Sequence, residues 1–153
     1  MATTSQAPMY VRVANVLTLT LLRAGVKLVG PFMVFGNYPM YLLTVRGRKS
    51  GQPRTVSIVI IEQNGKRYLA SPFGVVDWAR NLRAAGEAIL TRGRRSETVS
   101  ARELPPKEAA LVLREDIKAG NPFARYYQVT ADSSLEEFER TMVSHPVFVL
   151  EGK

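Results

Sequence analysis

Three cations and a hydroxyl crowd the eight residues Gly47-Arg48-Lys49-Ser50-Gly51-Gln52-Pro53-Arg54, with two glycines and no acid among them. Phosphate recognition asks for this set. Glycines let backbone amides come close, a serine donates a hydrogen bond, and arginine and lysine supply charge. The flanking runs, Met40 to Val45 and Val56 to Ile61, are apolar and read as buried strands, so the loop is pinned at both ends. A plain basic hairpin turn is the other reading of the same residues. No Gly-x-x-x-x-Gly-Lys-Ser/Thr and no Gly-x-Gly-x-x-Gly occurs, which excludes a P-loop and a dinucleotide fingerprint. Taken alone, the loop specifies an anion without saying which.

The remaining side chains are poorly equipped for hard chemistry. There is no cysteine, so disulfides, thiolate metal sites and cysteine nucleophiles are excluded. The single histidine, His145, stands directly before Pro146 and reads as a turn residue, not as a metal ligand or triad base. No metal site is expected. An enzyme built from these residues calls for a bound organic cofactor. The formal net charge of +8 favours an anionic partner, whether a phosphorylated cofactor, an acidic membrane surface or a nucleic acid.

A chain of 153 residues, 46% hydrophobic and 22% charged, is globular and about one domain long. Residues 1–35 read as a frayed tail and an N-terminal amphipathic helix, and residues 36–153 as the folded domain. From Met9 to Val29 the sequence is strongly apolar, with Arg12, Asn15, Arg23 and Lys27 on one narrow helical stripe. Charges recur too often for a membrane span, and a secretory signal fits poorly, so the expected location is cytoplasmic. This helix either packs over the open end of the domain or lies on the inner face of the cell membrane with its cations at the headgroups, and the two uses are compatible.

Beyond it the chain is rich in strands: Tyr38 to Arg46, Arg54 to Glu62, Lys66 to Ser71, Ala88 to Arg92, Glu97 to Glu103 and Val147 to Leu150. Asn64-Gly65 marks a tight hairpin. Asp77 is placed to cap a short helix closed by Gly86. Pro105-Pro106 opens a second helix, to about Ile117, and Ser134 with Glu137 forms a capping box for a third. The expected fold is α+β: a mostly antiparallel barrel of six to seven strands with flanking helices.

The basic loop, the Ser71-Pro72-Phe73-Gly74 turn and Asp77-Trp78-Ala79-Arg80-Asn81-Leu82 together resemble the deazaflavin-dependent nitroreductase family, over roughly Leu42 to the C-terminus. The resemblance implies a split β-barrel related to flavin mononucleotide-binding oxidoreductases, and reduced coenzyme F420 as cofactor. It implies that Arg48, Lys49, Ser50, Gly51 and Arg54 hold the coenzyme's phosphate and acidic tail. The strand after the loop, with Val56, Ser57 and Val59, would run beside the deazaflavin ring. Ser71, Pro72, Phe73, Gly74, Trp78 and Asn81 match the turn and helix that also meet the coenzyme. Some members carry a lysine where this chain has Pro72-Phe73, and Arg80 or Arg83 could replace that contact. Tyr126 and Tyr127 match aromatic residues over the ring, Tyr127 the better of the two, as candidates for catalysis.

The implied reaction moves a hydride to a small-molecule acceptor with a polarised double bond: a quinone, an enone or a nitroaromatic. Three competing readings stand beside it. One is a flavin mononucleotide- or haem-related binding protein of the same fold. The second is a non-catalytic membrane-surface protein. The third is a nucleic-acid-binding barrel, disfavoured because the basic clusters at Arg46 to Arg54 and Arg92 to Arg95 lack interleaved aromatics for base stacking.

Overall fold

The computed structural model describes residues 34–35 and 38–153, so the expected helix from Met9 to Val29 lies outside the described residues. In chain order the elements are β1 (Val34–Phe35), β2 (Tyr38–Arg46), β3 (Pro53–Val59), β4 (Ile61–Gln63), β5 (Lys66–Ala70), α1 (Asp77–Ala85), β6 (Glu87–Arg92), β7 (Arg95–Glu103), α2 (Pro106–Lys118), α3 (Leu135–Met142) and β8 (Val147–Gly152). A 3₁₀ turn at Ala124–Tyr127 separates α2 from α3.

All pairings are antiparallel, in the order β1-β2-β6-β7-β8-β5-β4, with β3 on the other side of β2. The sheet curls into a split barrel. Strand alternation fills it on two sides. On β8, Phe148 and Leu150 turn into the barrel with Leu43, Val45, Ile58, Leu69, Leu90 and Val99, while Val147 and Val149 turn outward. The barrel interior is closed by α1 through Ala79 and Leu82, both wholly buried. The outward side of β4, β5 and β8 is covered by α2 and α3 through Ala109, Ala110, Leu113, Ile117, Phe138 and Met142.

The turn chemistry behaves as the sequence predicts at most positions. Asn64 and Gly65 both have positive φ, as a type I′ hairpin turn requires. The amide of Gly86, in the left-handed region, closes α1 on Leu82 O at 2.8 Å. Ser134 and Glu137 form the reciprocal capping box.

Two expectations are corrected. The expected strand from Arg54 to Glu62 is two strands. Ile60 steps between them as the chain leaves β2 for β5, and its amide donates to Pro39 O at 3.1 Å. The N-cap of α1 is Val76, and Asp77 is its first helical residue, with no side-chain cap bond at that end. The helix N-terminus therefore presents amides that Asp77 does not occupy.

Candidate functional site

The basic loop joins β2 to β3 and is closed on itself. Gly47 N donates to Gln52 O at 2.8 Å, and Gly51 N to Gly47 O at 2.9 Å. Each glycine has a separate reason to be there. A Cβ on Gly47 would meet Ser50 Oγ at 2.9 Å and Gln52 O at 3.1 Å, whereas Gly51 needs its φ of +71°. Ser50 Oγ accepts from Gln52 N at 3.2 Å, so this hydroxyl braces the turn and keeps its own hydrogen to donate.

What holds the loop to the rest of the protein is Asn81. Its Oδ1 accepts from Arg48 N at 3.1 Å and from Arg48 Nη1 at 2.9 Å. Asn81 is 6% exposed, so both bonds are sheltered. Arg48 Nη2 also stands 3.4 Å from Asp77 Oδ1, which Arg80 Nη1 meets at the same distance from the other side. Arg48 and Asn81, both expected as coenzyme contacts, thus lock the loop against α1. Lys49 and Arg54 are exposed and make no ion pair among the described residues. The loop, Arg80 and the open N-terminus of α1 together give a positive surface, in which Asp77 is the acid that Arg48 and Arg80 share.

Below the loop, Val56 and Ile58 pack toward the barrel interior, so Ser57 and Val59 take the opposite side of β3. Ser57 lies across from Leu42, and its neighbours Thr44 and Thr55 share a hydroxyl bond of 2.9 Å. Ser57 Oγ is buried without a hydrogen-bond partner among the described residues. A buried orphan hydroxyl on the strand expected to lie along the ring is what a polar, ring-shaped ligand would satisfy.

The Ser71–Gly74 turn precedes α1. Ser71 Oγ donates to Gly74 O, and Ser71 N donates to Pro146 O at 3.0 Å, so this buried serine secures the turn. Gly74 has φ +86°. Pro72 and Phe73 stay half-buried at the turn's surface. Phe73 makes an edge contact with Tyr126 at 4.8 Å between centroids and another with Phe123 at 6.0 Å. Trp78 is half-buried, its ring 6.4 Å from that of Phe148. It joins the barrel core on one side and is partly open on the other. The loop, α1, the turn and the 3₁₀ segment are therefore linked contact by contact into one wall.

The two tyrosines part company. Tyr126 is half-buried, receives a hydrogen bond from Arg125 Nη2 at 2.9 Å and lies under that guanidinium. Tyr127 is 1% exposed, inside the helix-side core beside His145. Burial first, and then the charge of Asp116, holds its phenol far above the ordinary tyrosine range. The sequence expects Tyr127 to be the better catalytic candidate of the two; its ring lies in the core, whereas Tyr126 is half-buried at the aromatic cluster.

One feature of this region gives no motif. Asp116, 3% exposed on α2, accepts from Tyr38 OH at 2.6 Å and from Asn121 Nδ2. Burial raises its carboxyl, and the two donors work against that rise. The signal in the sequence is an acid on the inward stripe of α2, three residues after Leu113.

The other basic turn, around Gly93, joins β6 to β7 at the opposite end of β2 from the loop, and Arg92 lies over the Tyr41 ring at 5.5 Å. Arg83 is taken up by Glu103. That leaves Arg80 as the cation nearest the loop that could stand in for the missing lysine.

The model of the F420H(2)-dependent quinone reductase family matches residues 17–150. A solved structure described as an F420-H2 dependent reductase (FDR-A) is 28% identical, with a TM-score of 0.52 over 74% of this chain and 94% of that one. Another, described as a domain-swapped dimer, is 26% identical, with a TM-score of 0.54 over 93% of this chain and 97% of that one. No curated protein matches.

Proposed function

Because this chain belongs to the F420H(2)-dependent quinone reductase family, we propose that its positive wall holds reduced coenzyme F420 against a small quinone. The observation that carries this reading is the docking of the cationic loop onto Asn81 of α1; the orphan hydroxyl of Ser57, on the strand that leaves the loop, supports it. Lys49, Arg54 and Arg80 face the coenzyme's phosphate and acidic tail, with the loop amides and the N-terminus of α1 adding donors. Arg48 sets the loop's position and lends charge from behind. Ser57 offers its hydroxyl to a polar edge of the ring, and Val59 and Trp78 offer apolar surface. Once bound, the deazaflavin supplies the hydride, a chemistry no side chain here provides.

The acceptor side falls to the aromatic cluster of Phe73, Phe123 and Tyr126. A flat quinone suits such a surface through stacking. Arg125 donates to the Tyr126 oxygen and lies over its ring, which fixes the place of this aromatic in the cluster. An enone or nitroaromatic with the same flat, polarised character would use the same surface. The expected N-terminal contact with a membrane would bring the site to lipid-soluble quinones.

The test compares Tyr126→Ala with Tyr127→Phe, using menadione as acceptor. Tyr126→Ala is expected to raise the menadione KM about tenfold, a loss of about 1.4 kcal/mol. Tyr127→Phe should leave KM within about twofold, since the phenol is sealed in the core. Equal losses in both variants, or a loss confined to Tyr127→Phe, would overturn the acceptor assignment. Flavin mononucleotide should not displace the deazaflavin in an absorbance titration; displacement would favour the flavin-binding reading.

A further inference from the structure

A chain of partly buried hydrogen bonds, centred on the buried Asp116, runs from the first residue of β2 to the aromatic cluster. Tyr38 OH donates to Asp116 Oδ1 at 2.6 Å, and Asn121 Nδ2 donates to Asp116 Oδ2. Asn121 Oδ1 then accepts from Phe123 N at 2.7 Å, and its backbone carbonyl from Ala124 N at 3.2 Å. Phe123 O in turn accepts from Tyr126 N at 3.0 Å.

The chemistry of the members fixes the direction of this chain. A carboxylate is acceptor-only, so Asp116 admits only the amino end of the Asn121 amide. The carbonyl end is thereby forced toward Phe123 N, which starts the 3₁₀ turn. A reversed amide would set oxygen against oxygen and nitrogen against nitrogen. The second carboxylate oxygen is filled by Tyr38, so neither oxygen of this buried group lacks a donor.

We propose that Asp116 is a positioning residue for the acceptor side of the site, acting through Asn121 to set the 3₁₀ turn that presents Phe123 and Tyr126 to Phe73. The proposal rests on the reading of the aromatic cluster as the acceptor surface and adds which buried group determines its shape. Because Tyr38 begins the strand that ends at the cationic loop, the same carboxylate ties the acceptor side to the coenzyme-bearing strand.

The experiment uses Tyr38→Phe, which removes one oxygen and keeps the ring, and Asn121→Ala, which cuts the chain at its second joint. Hydrogen exchange of the segment 121–127 needs no coenzyme and is expected to speed up about tenfold in both variants, while the α2 amides before Asp116 stay protected. With reduced F420 and menadione, both variants should raise the menadione KM several-fold and leave the coenzyme dissociation constant within about twofold. Combined with Tyr126→Ala, Tyr38→Phe should add little further loss, since both act on one element.

Unchanged exchange at 121–127, or losses that multiply fully in the double variant, would overturn the proposal. A drop in melting temperature with KM unmoved would also overturn it, leaving Asp116 a structural residue only. Wild-type protein that bound no reduced F420 would instead refute the coenzyme reading, and the exchange result would still decide whether this carboxylate sets the segment.

Discussion

Replacing Arg48 and Lys49 together by glutamate is expected to raise the dissociation constant for reduced F420 well over tenfold, more than about 1.4 kcal/mol. Two effects act in the same direction. The first is electrostatic: one cation facing an anionic ligand and one behind it become two anions. Water and salt screen the exposed Lys49, so its own share is modest. The second is mechanical. A carboxylate at position 48 cannot donate to Asn81 Oδ1, and it would face Asp77 where Arg48 now sits 3.4 Å away. The loop would be pushed off α1 as well as reversed in charge. The control is the equal charge change at Arg94 and Arg95, in the turn at the opposite end of β2. That variant should shift the constant less than about twofold, since the distance exceeds the Debye length scale of about 8–10 Å that screens exposed charges. Similar losses in both variants would show that net charge, and not the loop, governs binding.

Asn81→Ala should have the second-largest effect, and it should appear in stability and affinity together. The side chain is buried and accepts one neutral and one charge-assisted bond from a single arginine. Losing both is expected to cost about 2 kcal/mol, discounted because the guanidinium is partly solvated. For a chain of this length that corresponds to a fall in melting temperature of about 4–8 °C by differential scanning calorimetry. With its anchor gone, the loop must be ordered by the ligand itself, so the coenzyme dissociation constant should rise about tenfold. Asn81→Asp, which keeps an acceptor at the same place, should recover most of the lost stability. An Asn81→Ala protein with wild-type melting and wild-type affinity would mean that the loop is held by other means.

These two residues show how far the sequence could be read. The loop between Met40–Val45 and Val56–Ile61 was legible because glycine, serine and cations without an acid are a local signature, and so were the Asn64-Gly65 hairpin and the capping box at Ser134. Strand β2 matches its expected bounds from Tyr38 to Arg46. The family resemblance points to Arg48 and Asn81 as site residues, yet their partnership spans 33 positions and shows only in three dimensions.

The break at Ile60 has no glycine or proline to announce it. It arises because the strand changes partners, a property of the sheet and not of the segment. Tyr126 and Tyr127 are neighbours in a 3₁₀ turn, where successive side chains point about 120° apart, so only one could face outward. Composition and spacing could not say which. The Tyr38–Asp116–Asn121 chain was missed for the same reason as the Arg48–Asn81 pair, although an acid among Leu113, Val112 and Ile117 was a visible anomaly.

A crystal structure of the protein with coenzyme F420 bound is the most direct test of the central claim. The account predicts the phosphate and acidic tail against Lys49, Arg54 and the N-terminus of α1, the Arg48–Asn81 pair intact, and Ser57 Oγ bonded to the ring. A coenzyme seated elsewhere, with Lys49 and Arg54 pointing into water and Ser57 still unpartnered, would contradict it.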